Sequence, residues 1–391
     1  MSGIRFFLAV SPLRKMLFLV SVLFISSCDI ELGGTGPVIN TRAPVTVALL
    51  VPFGSDQANQ DILATSLQNA AQLAISDLNG VEIELKVYKT AGNTEQAAAA
   101  AKRAVDEGAK IILGPVFADA ANAAGAAVAS RGVTVLSFSN NTEIAGGNIF
   151  VLGHTFENTA DRLVSYAKSQ GLSNILVIHA NNLTGEVGRK SVQNAAAVSG
   201  SNFTGSASYE FSQRGVISAV RDIAKQVRDT DTQALVFASD TAGALPILAQ
   251  LLPENGIDPK DIQFMGLTRW DIPTQTLSLG GLQGGWFALP DPSITGAFND
   301  RYRNAFGQAP HPLAGIAYDG IAAIGALLAS GNSDALSRAN LTQNTGFAGV
   351  NGVFRLLPDG TNQRAMAVVA IEDRKVKVID PAPRSFRGGG I

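Results

Sequence analysis

Apolar positions recur along this chain in two alternating periods. The run VTVALLVP at 45–52 is continuously apolar and stops at a proline, as a strand buried on both faces does. Over 60–79 the period becomes helical, with Leu63, Leu67, Ala70, Ala74 and Leu78 on one face. VEIELKVYK at 81–89 alternates strictly, placing Val81, Ile83, Leu85 and Val87 on one side, which predicts a sheet-edge strand. An alanine-rich helix is expected at 94–107 with Thr94 as its N-cap, then a strand KIIL at 110–113, a helix near 117–130 and a strand VTVLSF at 133–138. The rhythm restarts after about 155. ILVIHA (175–180), TGSASYEF (204–211), ALVFAS (234–239) and IQFMG (262–266) read as strands, separated by helices at 185–199, 214–228 and 241–253.

Strand–helix alternation of this kind builds parallel sheets with helices on both faces. Two such series in tandem predict an α/β chain of two Rossmann-like lobes, each with a parallel, doubly wound sheet. Residues 297–306 and 312–330 read as further helices, and GVFRLLPDG and RAMAVVAIEDRKVKVID as strands with Asp359-Gly360 as a turn. A chain that builds one lobe, then another, and then adds elements to each must cross between them more than once. That predicts a multi-crossing hinge beside a cleft. The expected bounds are 45–152 plus 287–333 for lobe one and 153–286 plus 334–380 for lobe two, with 381–391 as a disordered tail.

The first residues change the picture. Arg5, Arg14 and Lys15 precede the apolar run MLFLVSVLFIS at 16–26, too short to span a membrane. The run ends in ISSC, which resembles a bacterial lipobox, where a peptidase cuts before a cysteine that is then acylated. Residues 1–27 are thus expected to be a lipoprotein signal peptide, Cys28 the lipidated residue, and 28–44, which is Gly/Pro-rich and without period, a flexible tether. Acyl chains would anchor the protein to a membrane at about 0.8 kcal/mol per buried CH₂. Asp29 resembles an inner-membrane retention signal; inner or outer membrane stays open.

Composition narrows the function classes. The chain has 391 residues, 46% of them hydrophobic and only 16% charged, so a large core can form. The formal net charge of −2 becomes −5 once the three signal cations are lost, and no Lys/Arg run appears, which argues against nucleic acid. A single cysteine allows no internal disulfide and no Cys-based metal site. The acidic residues show no metal-ligand spacing, and Asp56, Asp61, Asp119, Asp240 and Asp271 stand near strand ends or helix starts, where capping accounts for most of them. No Gly-x-Ser-x-Gly, Walker A or Gly-x-Gly-x-x-Gly stretch is present. Of the three histidines, His154 falls at the first expected crossing, His179 ends an apolar strand and His311 sits between two prolines. No cofactor is expected, and no nucleophile–base pair supports an enzyme.

In parallel sheets, ligands sit beyond the carboxyl ends of the strands. LGPVFAD (113–119) is such an end, and SFSNN (137–141) another. Ala118, Ser139, Asn140 and Asn141 are therefore expected to line the cleft from lobe one, and Thr184, Asp240, Arg269 and Trp270 from lobe two. Trp270 and Trp286 flank the second crossing and either stack on a ligand or pack the core or hinge.

ILGPVFADAANAAGAAVASRGVTVLSFSNN (112–141) resembles the GP-x-x-S…gvP-x-i-S-x-s-a-T pattern of type I periplasmic solute-binding proteins, the leucine-binding-protein family in particular. AYDG (317–320) is similar to that family's A-Y-D-A helix, and GFAGVNGVFRLLPDGTNQRAMAVVAIEDRKV to its closing strands. The likeness runs in consistent order over about 45–380. It implies a two-lobed, non-catalytic binding fold. In the amino-acid binders a hydroxyl follows the Gly-Pro and holds the ligand carboxylate; here Phe117 and Ala118 stand there. The F-R-T near the first crossing is replaced by IFVLGHTFENTADRLV, without arginine. The acid for an α-ammonium is replaced by MGLTRWD, with Thr268 and Arg269, and Asp271 offset. LGHTFENTADRLVSYAKSQG resembles instead the penicillin-binding protein activators, lipoproteins of the same fold, although their helical-repeat domain is absent here. The altered clamp favours an activator of a penicillin-binding protein that regulates peptidoglycan synthesis. The alternative is the binding subunit of an ABC transporter, delivering amino acids or a related small polar solute to an ABC permease.

Overall fold

The computed structural model describes residues 36–239 and 241–386. The expected signal peptide, Cys28, Asp240 and residues 387–391 lie outside them.

In chain order the first series is β1 (Val45–Val51), α1 (Ala58–Ser76), β2 (Ile83–Lys89), α2 (Thr94–Asp106), β3 (Ile111–Leu113), α3 (Ala118–Val128), β4 (Thr134–Ser137) and β5 (Ile149–Val151). These strands form one parallel sheet in the order β2-β1-β3-β4-β5. β1 shows why its sequence is apolar throughout. Val47, Leu49 and Val51 enter the core beneath α1, while Ala48 and Leu50 enter the core beneath α2 and α3. The strictly alternating β2 lies at the edge, as its pattern requires.

The second series is α4 (Phe156–Ser169), β6 (Asn174–Ala180), α5 (Leu183–Ser199), β7 (Asn202–Tyr209), α6 (Gln213–Asp229), β8 (Ala234–Ala238), α7 (Ala244–Glu254), β9 (Gln263–Gly266) and β10 (Trp286–Leu289). The remainder adds α8 (Pro292–Phe306), α9 (Ala314–Leu328), α10 (Arg338–Leu341), β11 (Phe347–Gly349), β12 (Gly352–Leu356), β13 (Asn362–Arg364), β14 (Ala367–Glu372) and β15 (Lys375–Asp380). The second sheet runs β15-β14-β10-β9-β8-β6-β7. β6 to β10 are parallel, and β14 and β15 join antiparallel at one edge. α6 and α7 cover one face and α4 and α5 the other. The structure is thus a mixed α/β chain with parallel sheets in two lobes.

The chain passes between lobes at 152–155, at 290–291 and around 365–366. Two of these differ from expectation. β10 pairs with β9 and β14, so the second passage follows Leu289 rather than Trp286. Leu336, Leu341, Phe347, Phe354 and Leu356, expected in lobe two, are buried with α1, α8 and α9 in the core of lobe one. The antiparallel trio β11-β12-β13 therefore belongs beside lobe one.

The described residues of both expected loose ends pack on the lobes. Within 28–44, residues from 36 onward dock on lobe one: Ile39 is buried in its core, its N–H donates to the Ser333 carbonyl at 2.9 Å, and the Thr41 hydroxyl donates to the Gly331 carbonyl at 3.2 Å. Within 381–391, residues 381–386 fold back on the protein, with Ala382 buried in the lobe-two core.

A glycine explains the abrupt end of β3. Gly114 has φ +83, and a Cβ there would stand 2.2 Å from the Leu50 carbonyl oxygen. Only glycine accepts both conditions. The cap of helix α2 lies one residue earlier than expected: the Asn93 carboxamide, not Thr94, accepts from the Glu95 and Gln96 N–H groups at 2.8 and 3.2 Å.

Candidate functional site

Apart from Asp240, which lies outside the described residues, the expected site residues follow strands of the two sheets, and one of them, Trp270, is closed off in a core. In lobe one, Ala118 is the first residue of α3 and half-buried, Ser139 is buried, Asn140 is exposed and Asn141 is half-buried. In lobe two, Thr184 is exposed in the first turn of α5, and Arg269 is half-buried after β9. Trp270 is the exception. It is fully buried in the lobe-two core, its ring centroid 6.0 Å from that of Phe237 and 6.1 Å from that of Phe287. Two glycines make its slot, since a Cβ on Gly266 or Gly285 would come within 2.3 or 2.6 Å of the indole. It cannot stack on a cleft ligand without unfolding that core. Trp286 is likewise occupied, edge-on to Tyr166 at 5.0 Å.

Several of the polar groups are already engaged within their own loops. Ser139 Oγ accepts from the Asn141 N–H at 3.1 Å, and Asn141 Oδ1 accepts from the Glu143 N–H at 2.9 Å, opening the short turn Thr142–Ile144. Arg269 grips Asp271 with both Nε, at 2.9 Å, and Nη2. Thr268 Oγ1 donates to the Ser239 carbonyl at 3.2 Å. The net charge that Arg269 offers a ligand is thus offset by Asp271, and its fork is held in one orientation.

The helix starts divide into two kinds. α2, α4, α5 and α6 are capped by the side chains of Asn93, Thr155, Asn182 and Ser212. α1 and α3 follow Gln57 and Phe117, whose side chains make no such bond. These two helices follow β1 and β3, interior strands of the first sheet. Uncapped first-turn N–H groups with the positive end of the helix dipole attract anions and carboxylates. Asp119, expected as a possible cap, sits inside the first turn of α3 instead. Segments that follow strands β3, β6, β7 and β9 expose apolar side chains: Phe117 at 36%, Leu183 at 68%, Phe211 at 65% and Ile272 at 39%. An open hollow of about 540 Å³ lies beside Phe211 between α6 and α7.

The crossings carry a second polar cluster. Asp319, from AYDG, is wholly buried on α9. Its Oδ1 accepts from the Val350 and Asn351 N–H groups at 2.8 and 3.3 Å, and its Oδ2 from Asn351 Nδ2 at 2.9 Å and Arg364 Nη1 at 2.8 Å. Gly349 gives this carboxylate room, because a Cβ there would stand 2.1 Å from Oδ1. Arg364 also donates to the Leu152 carbonyl through Nε at 3.1 Å and Nη2 at 2.6 Å, and lies over the Phe354 ring. Asn362 Nδ2 donates to the Val151 and Gly153 carbonyls at 2.8 and 2.9 Å, and Asn158 binds both Asn362 and the Arg364 N–H. The first and third passages are therefore sewn together by buried, fully partnered polar groups. Nothing in the sequence spacing pointed to Arg364, Asn362 or Asn158, which stand far from Asp319 along the chain.

His154 lies in the first passage. Its Nδ1 is sealed from solvent without a hydrogen-bond partner. Burial, then the positive charges of Arg364 and Arg269, hold its pKa well below the ordinary imidazole value, so the ring is neutral at pH 7. The two arginines place it between the crossing network and the end of β9. His179 is structural: its Nδ1 is 3.0 Å from the Ala180 carbonyl oxygen. Among the described residues no group of three or more His, Cys, Asp or Glu side chains could hold a metal ion, and no helix is long and apolar enough to cross a membrane.

The family model described as periplasmic binding protein matches residues 44–375. The chain belongs to the periplasmic binding protein family. Its fold is of type I, that of the leucine-binding proteins. An uncharacterized protein of Rickettsia prowazekii is 22% identical over 269 residues, covering 66% of this chain and 71% of that one. Among solved structures, a putative branched-chain amino acid ABC transporter protein from Rhodospirillum rubrum superposes with a TM-score of 0.73 at 18% identity, covering 86% of this chain and all of the other. A branched-chain amino acid ABC transporter ligand-binding protein from Burkholderia xenovorans gives 0.69 at 20% identity, covering 88% and 97%. At these identities the likeness establishes the fold. Membership implies a periplasmic location.

Proposed function

We propose that this periplasmic binding protein captures a small solute bearing a carboxylate and an apolar portion and delivers it to an ABC permease. The reading is supported by an uncapped helix start at Phe117–Ala118 after β3, by exposed apolar side chains at the strand ends and by a held Arg269–Asp271 fork after β9. The first suits an anionic head, the second an apolar body, and the third a polar substituent. Ala118, Ser139, Asn140, Asn141, Thr184, Asp240 and Arg269 are the assigned contacts. Binding without bond breaking is the whole of the activity. The named neighbours are proteins of branched-chain amino acid ABC transporters, which supports transport over the activator reading; no comparison supports a penicillin-binding protein partner. Acylation at Cys28 would hold the protein near the membrane where a permease works.

The test is thermal melting of residues 36–391, which keep the docked Ile39, against amino acids, aromatic carboxylic acids, short peptides and muropeptides. A solute at 100 times its dissociation constant adds about 2.7 kcal/mol of stability. A shift with an amino acid or aromatic acid supports capture. No shift with any solute, together with retention of a penicillin-binding protein on the immobilised chain, would replace it with the activator reading.

A further inference from the structure

The segment after β15 connects the two lobes a fourth time, without a covalent crossing. On the lobe-two side, Arg162 of α4 holds it: Nη2 donates to Asp380 Oδ2 at 2.5 Å and to the Pro381 carbonyl at 3.3 Å, and Ala382 sinks into the lobe-two core. Four residues on, the Phe386 ring lies under the Arg355 guanidinium, 4.9 Å from centroid to Cζ. Arg355 is on β12, between Phe354 and Leu356, both of which are buried in the core of lobe one. Its Nε is itself fixed on Gln363 Oε1 at 2.7 Å, so the cation is presented in one place. Between these ends, Arg384 stands close to Asp291, the N-cap of α8, which packs on lobe one. The Asp291 carboxyl is held below the ordinary range first by Ser293 and in part by the Arg384 charge.

We infer that residues 381–386 are a strap across the hinge, anchored by Arg162 on lobe two and by Arg355 on lobe one, which holds the lobes at the angle seen in this structure. A change of that angle moves β12 relative to β15 and must break the Phe386–Arg355 contact. Such a contact at a partly exposed site shifts a two-state ratio roughly twofold to fivefold. The strap would set how much of the protein is ready to move before solute arrives. The inference rests on reading the crossings as a hinge.

The test needs no ligand. Spin labels are placed on Glu95→Cys and Gln213→Cys, exposed positions in the first turns of α2 and α6, in a chain with Cys28→Ser. Interlobe distance distributions are then compared. Phe386→Ala and Arg355→Ala should each reduce the ratio of the wild-type major distance to the remaining distances roughly twofold to fivefold, the double variant should do no more than either single one, and Phe386→Tyr should behave as wild type. If Phe386→Ala leaves the distribution unchanged, or Phe386→Tyr alters it equally, the strap is wrong. Spread distances in the wild type that ignore the variants remove the strap and leave the hinge. One narrow distance in every chain removes both.

Discussion

The crossings and the strand-end face of this protein handle polar groups in opposite ways. At the crossings Asp319, Arg364, Asn362 and Asn158 are buried and bonded to one another and to the Leu152, Val151 and Gly153 carbonyls. At the strand-end face Asn140 and Thr184 are exposed, α3 begins without a cap, and Phe117, Leu183 and Phe211 stand in solvent. One region is closed on itself and the other is left unfinished. A buried polar group without a partner costs free energy, so the closed region has one arrangement, whereas the unfinished one is where the proposed solute would bind. His154, at the boundary, is the member of the crossings that breaks the rule.

The largest effect should come from breaking the closed region. Arg364→Met leaves the buried Asp319 carboxylate without its cation and should cost about 3–5 kcal/mol in urea unfolding. A loss below about 1 kcal/mol would mean the network is not closed as described. The strand-end face should respond in binding rather than in stability. Arg269→Ala frees the Asp271 carboxylate to repel an anionic solute and should weaken binding by about 1.5–3 kcal/mol in titration calorimetry, while stability moves by less than about 1 kcal/mol.

The boundary residue yields a pH signature. The folded pKa of His154 is depressed, so its contribution to stability is present above the unfolded value of 6.5 and is lost as pH falls through it. Between pH 7.5 and 5.5 the wild type should lose about 1.4 kcal/mol more than His154→Gln. Equal losses would remove the buried imidazole from the account. The smallest effect is on the α4 surface. Burial and then Glu157 raise the Asp161 pKa to about 6. The raised value favours the folded state below about pH 4, and that preference disappears as pH rises through 6. Asp161→Asn should therefore stabilise at pH 8 by less than about 1 kcal/mol, given the exposure of this side chain, and have no effect below pH 4.

The lobes were legible because buried parallel strands leave long apolar runs. The three-residue β5 and four-residue β10 were not, and neither was α4, since IFVLGHTFENTADRLV mixes polar residues that the crossings need into the helical period. The closed region showed itself only as AYDG. Its partners lie dozens to hundreds of residues away, where spacing carries no signal. The strand-end face was half legible. Small polar residues after an apolar run marked Ser139 to Asn141 as the end of β4, where the structure has them, but Trp270, next to Arg269, invited a cleft assignment that the slot between Gly266 and Gly285 overturns. Alternating strand residues pointed inward would have signalled that slot only with the β9–β10 register in hand.

The central claim is that the unfinished face holds a small solute. Native mass spectrometry of the protein purified without unfolding tests it most directly. The account predicts the chain mass plus an adduct of small-molecule size, released on denaturation and diminished in Arg269→Ala. A bare chain mass, unchanged by any solute that the melting panel offers, would contradict it.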